Sequence, residues 1–98
     1  MKGYRVKVAA IAESDIRDVM LWYGERNEIM SEAFRAEVFD VIDRIGESPL
    51  NKSADDQGDR RRILHRFPYS VVYDIQENTV RILAITHHRR QPGYWRKV

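Results

Sequence analysis

Apolar residues recur along this chain with two different periods, and the change from one to the other marks its elements. Tyr4, Val6 and Val8 alternate with Arg5 and Lys7, which predicts a strand over residues 3–9 with one buried face. From about Ala12 the spacing turns helical: Ile16, Val19, Met20 and Tyr23 fall at i, i+3, i+4 and i+7 and share one face. Asp15 and Asp18 lie early in this helix, where its dipole favours carboxylates, and Gly24, Arg26 and Asn27 close it. A second helical pattern runs through Phe34, Val38, Val41, Ile42 and Ile45, with Ser31 as the expected N-cap. Gly46 and Pro49 stop it, and the polar stretch 47–59, with Pro49, Ser53 and Gly58, reads as an exposed loop.

After Arg60 the period is two again. Residues 61–67 are expected to form a strand, Pro68 a tight turn, and Tyr69, Val71, Tyr73 and Ile75 alternate with Ser70, Val72 and Asp74 on the next strand. Tyr69 and Tyr73 belong to the core on this reading. Gln76, Glu77 and Asn78 make a hairpin turn in which Asn78 is the residue suited to positive φ, and a last strand covers 79–86. The order is β-α-α-β-β-β. It implies an α+β fold with a helical hairpin packed on a small, largely antiparallel sheet. Ninety-eight residues supply one core, so a single domain over 1–98 is expected.

Composition narrows the class without naming a function. With no cysteine the chain has neither a disulfide framework nor a thiolate metal site, which fits a reducing cytoplasm. The first residues lack the apolar core of a signal peptide, and no apolar run approaches the roughly 18 residues that span a bilayer. A cytoplasmic protein without a membrane partner is expected. The formal charge of +2 conceals a strong asymmetry. Residues 1–59 carry eight Lys/Arg against thirteen Asp/Glu, a net of −5, whereas residues 60–98 carry nine against two, a net of +7. All three histidines lie in the basic part. Basic residues that serve only solubility are interspersed with acidic ones, so the separation points to a polyanionic partner or an acidic protein segment.

The densest chemistry follows the last strand: His87-His88-Arg89-Arg90-Gln91-Pro92-Gly93-Tyr94-Trp95-Arg96-Lys97 gathers proton-transfer, cationic and stacking groups in eleven residues. On the strand expected over 61–67, Arg61 and His65 would share one face, and Arg62 and Arg66 the other. If the strands form a meander, Arg61, His65, Arg81 or His87, and the tail are candidates to converge. Such a set suits RNA cleavage, in which the ribose 2′-oxygen attacks its own phosphate. His65 and His87 would serve as acid or base, with Arg89 and Tyr94 beside them. Arg61, Arg62, Arg81 and Arg90 would hold phosphate, and Trp95 would stack on an unpaired base. The reaction needs no cofactor or metal. Each element also has a structural reading: His65 as a partly buried strand residue, only one of His87 and His88 facing a given site, Tyr94 and Trp95 docking the tail, and the run 60–62 clamping an acidic partner.

Two blocks carry a resemblance to a known family. Gly58-Asp59-Arg60-Arg61-Arg62-Ile63-Leu64-His65-Arg66-Phe67-Pro68-Tyr69-Ser70-Val71-Val72-Tyr73 resembles the central block of RelE/ParE toxins, and Ile82 to Arg90 followed by Pro92, Tyr94 and Trp95 resembles their closing strand and tail. The order of elements matches as well. The resemblance implies a toxin of a type II toxin–antitoxin system, neutralised by a cognate antitoxin that wraps it. Two activities are implied: ribosome-dependent cleavage of mRNA, or poisoning of DNA gyrase. Against the ribonucleases of the family, Arg61, Arg89 or Arg90, and Tyr94 stand at comparable places. Ser70, however, occupies the place of a basic residue on the middle strand, and Ile63 that of a lysine. The gathering of histidines with Tyr94 and Trp95 favours the ribonuclease, with the ribosome and mRNA as partners. The alternative is a non-catalytic ParE-like module that binds gyrase.

Overall fold

Two helices lie across one face of a four-stranded mixed sheet in the computed structural model, which describes residues 3–90 and 93–96. In chain order the elements are β1 (Arg5–Val8), α1 (Ala10–Gly24), α2 (Glu28–Glu47), β2 (Arg60–Ile63), β3 (Tyr69–Gln76) and β4 (Thr79–His87). Short 3-10 turns cover Pro49–Asn51 and Tyr94–Arg96. The sheet order is β1-β4-β3-β2. β2–β3 and β3–β4 are antiparallel, while β1 runs parallel to β4 because the helical hairpin carries the chain over one face before it returns.

The core is the set of apolar positions that the two periods select. Ile16 and Val19 of α1 and Phe34, Val38, Val41, Ile42 and Ile45 of α2 pack on Val71, Tyr73, Val80, Ile82 and Ile85 of the sheet. Phe67 joins them through edge contacts with Phe34 and Tyr23 at 5.4 and 5.3 Å. Tyr73 is fully buried, and its hydroxyl donates to the Pro49 carbonyl at 2.8 Å, which anchors the start of the long loop. Tyr69 is partly buried against the same core.

Several local expectations are corrected. The second helix begins at Glu28, and its N-cap is Asn27, whose Oδ1 accepts from the amides of Ile29 and Met30. Ser31 lies a turn further on. It is buried, and its hydroxyl donates to the Met20 carbonyl of α1 at 2.9 Å, tying the hairpin together. The strand expected over 61–67 stops at Ile63, because Leu64 and Phe67 both turn inward. Glu37 of α2 accepts from the exposed amides of His65 at 2.5 Å and Arg66 at 3.2 Å, closing the turn that replaces the strand. His65 and Arg66 therefore share no strand face with Arg61 and Arg62. In the β3–β4 turn it is Glu77, not Asn78, that takes positive φ.

The alternation on β3 and β4 is interrupted by a bulge. Val72 pairs with Ala84 and Tyr73 with Ile82, so Leu83 is the extra residue. Ser70, Val72, Ala84 and Thr86 are buried although they lie on the face away from the helices.

Candidate functional site

The tail Tyr94–Arg96 is pinned at two carboxylates. Beyond Ile82 the side of β4 that faced β1 is open, since β1 ends at Val8. There Asp15 of α1 reaches in, and its Oδ2 accepts from the Ile85 amide at 3.0 Å and from the Tyr94 hydroxyl at 2.7 Å. Burial pushes the Asp15 carboxyl above its ordinary range, against the opposing pull of the Tyr94 and Ile85 donors and the Arg90 charge. Burial also raises the Tyr94 phenol strongly, and the Asp15 carboxylate adds to that shift. The second anchor is Asp59, buried at the start of β2, which accepts from Trp95 Nε1 at 3.1 Å and pairs with Arg96. Arg96 also donates to the Gln57 carbonyl. The tail's anchors thus lie at the open edge of β4 and at the start of β2.

The predicted site residues fall into separate groups. Arg61, Arg81, Tyr94 and Trp95 belong to the outer sheet face or its edge. Arg61 is exposed and registered opposite Val72. Arg81 forms a two-pronged pair with Asp74 of β3, at 2.8 and 2.5 Å, which holds its proton more tightly than usual. Arg90 lies with its guanidinium 3.8 Å from the centre of the Tyr94 ring. Arg62 turns the other way, towards α2, into a polar pocket it shares with Asp40, Asp43 and Glu47; its Nη1 is buried and has no hydrogen-bond partner among the described residues.

The histidines sit at the far end of the sheet. His87 pairs in register with Tyr69 and meets its ring edge-on at 5.0 Å. Its Nδ1 accepts from the Arg89 amide at 3.0 Å, so one ring nitrogen shapes the turn after β4. His87 lines a cleft of 510 Å³ with Val19, Trp22, Tyr23, Pro68 and Tyr69, on the helical side of the sheet. His65 is exposed in the β2–β3 turn, and the exposed Arg89 follows β4. Arg81 is six residues from His87 along β4, about 20 Å at the rise of a strand. The convergence expected of Arg61, His65, Arg81, His87 and the tail is therefore not what the fold produces. Strand pairing brings Arg61 and the tail to one face, places His87 on the other and leaves His65 in a turn. Gln91, Pro92 and Lys97 of the tail motif lie outside the described residues.

Reading the sequence missed Asp15 and Asp59 as the tail's anchors. Asp15 had a sufficient helical explanation, and nothing in its spacing showed that β1 would stop short of Ile85. Among the described residues no group of three His, Asp or Glu comes together that could hold a metal ion, and no helix is long and apolar enough to cross a membrane.

Residues 6–92 match the family model described as "ParE toxin of type II toxin-antitoxin system, parDE". Among solved structures, one titled "Chromosomal ParDE TA system from P. aeruginosa" superposes with a TM-score of 0.77 at 15% identity, covering 86% of this chain and 95% of that one. At that identity the likeness concerns the fold. No curated protein matches the sequence.

Proposed function

Because the chain belongs to the ParE toxin family of type II toxin–antitoxin systems, we propose that it arrests growth without catalysis, by binding DNA gyrase as a protein target. Its other partner is the cognate antitoxin that such a system supplies. The observation that carries this reading is the placement of the groups a ribonuclease would use. The Tyr94 hydroxyl is engaged by half-buried Asp15, Arg81 by Asp74, and His65 and His87 stand on different elements. In-line attack by a 2′-oxygen needs base, acid and phosphate clamp within hydrogen-bond reach of one phosphate. The engaged phenol and the His87 Nδ1, which accepts from the Arg89 amide, serve structure instead.

A protein target also suits the closed end of the helical hairpin. Leu21, Trp22 and Ile29 are 65%, 51% and 78% exposed there, around the turn between α1 and α2. Exposed large apolar and aromatic side chains grouped in this way supply the dehydrated centre that protein interfaces use.

The test places purified protein in two assays. It is expected to inhibit gyrase supercoiling and to leave mRNA intact on translating ribosomes. Cleaved message with unimpaired supercoiling would reverse the assignment in favour of the ribonuclease.

A further inference from the structure

We propose that the end of the sheet opposite the β3–β4 turn is a second contact surface, which grips the phosphodiester backbone of the duplex DNA that gyrase holds. This rests on the gyrase reading and adds to it a direct contact with nucleic acid. Two turns meet at this end. The β2–β3 turn carries His65 and Arg66, and the turn after β4 carries His88, Arg89 and Arg90; the His88 amide donates to the Pro68 carbonyl at 3.0 Å and joins them. All five side chains belong to exposed residues.

The guanidinium of Arg90 lies over the Tyr94 ring, whereas Arg66 and Arg89 make no such contact among the described residues. Among the described residues, no carboxylate forms an ion pair with Arg66, Arg89 or Arg90. Glu37, the acidic residue bonded to the first turn, gives its two oxygens to the backbone amides of His65 and Arg66. Two other cations of the basic half are neutralised, Arg81 by Asp74 and Arg96 by Asp59, while Arg61 on β2 is exposed without an ion pair among the described residues. The meeting of Arg66 with Arg89 and Arg90 on two joined turns is thus a feature of the tertiary structure and not simply of a basic C-terminal half.

The class of partner follows from what the surface lacks. A protein interface has an apolar centre from which charge is depleted. None of the five residues on the two turns is apolar; exposed Ile63, at the end of β2, and the cleft lined by Trp22, Pro68 and Tyr69 border them. Attraction to a phosphate backbone is carried by Lys and Arg through release of condensed counterions, and it requires no apolar centre. Arg66 and Arg89 stand on adjacent turns and reach outward, as backbone contacts do, with no element presented to a groove that would read bases.

The experiment measures binding of the full chain to a labelled 20-base-pair duplex of arbitrary sequence between about 50 and 200 mM salt, a range over which phosphate contacts are strongly attenuated. Wild type is expected to bind with a negative log–log salt slope. Arg66→Ala and Arg89→Ala are each expected to lessen that slope by about 1, with melting temperature unchanged, because neither side chain makes a hydrogen bond among the described residues. Arg44→Ala, which removes an exposed cation paired with Asp40 on α2, is expected to leave the slope unaltered.

Absence of duplex binding at the lowest salt overturns the proposal, as does an unchanged slope in both turn variants or an equal effect of Arg44→Ala. A single-stranded RNA of equal length bound about tenfold more tightly would overturn the assignment to DNA. Weaker capture of DNA-free gyrase by the turn variants, with duplex binding intact, would make this end a protein contact instead. Supercoiling separates the two readings. Inhibition by wild type with unchanged duplex binding in the variants sinks only the DNA contact, whereas duplex binding through Arg66 and Arg89 without inhibition sinks only the gyrase target.

Discussion

At the scale of single residues, two carboxylates decide what the tail is for. The Tyr94 hydroxyl gives its hydrogen to Asp15, so Tyr94→Phe should cost about 1 kcal/mol, the net worth of one hydrogen bond. It should leave growth arrest intact; arrest abolished with the fold preserved would return Tyr94 to a chemical role. Asp15 makes stability depend on pH in a defined direction. Its folded-state pKa is raised by burial, so its contribution is fully present below the ordinary carboxylate value and is lost as pH rises through the raised one. Asparagine cannot titrate. The stability of wild type relative to Asp15→Asn should therefore fall as pH climbs through and above the ordinary carboxylate range, measured by denaturant unfolding at each pH. A difference that rises over that range would contradict the assignment.

At the scale of elements, α2 is fixed at its start and braces the sheet at its middle. Asn27 satisfies amides at the first turn that have no intrahelical partner, so Asn27→Ala should destabilise by about 1 kcal/mol. Glu37 caps two amides of the β2–β3 turn across the helix–sheet interface. Glu37→Ala should cost about 1–3 kcal/mol and speed hydrogen exchange at His65 and Arg66 specifically. Exchange increased evenly over α2 instead would mean that Glu37 serves the helix alone. Both caps explain expectations that failed. Asn27 and Ser31 are both good capping residues four positions apart, and the choice went to Asn27 because Ser31 faces Met20 across the hairpin. The pattern through 61–67 looked like one strand since Leu64 and Phe67 are apolar, but both are drawn into the core beside Phe34, and a strand cannot send residues three apart to the same side.

At the scale of the whole molecule, the hairpin and the sheet face share one small core, and breaking it anywhere breaks the fold. Val38 is fully buried beneath α2, and Val38→Asp should leave no cooperative unfolding transition, because a carboxylate there has no partner. A folded Val38→Asp protein would show that the helices are dispensable to the sheet. The sequence by itself determined the order of elements, the apolar faces that meet, the opposition of acidic and basic parts, and the family. Each of these is a local period or a sum over residues and needs no knowledge of what lies across the chain. Only the tertiary structure decided which cations stay free. Arg62 turns to α2, Arg81 meets Asp74, Arg96 meets Asp59, and Arg61, Arg66 and Arg89 are left exposed. Partners 36 or 37 positions apart, as Asp59 is from Trp95 and Arg96, leave no periodic trace. They follow from where β1 stops and how the bulge at Leu83 turns β4, and those are set by packing the helices on the sheet.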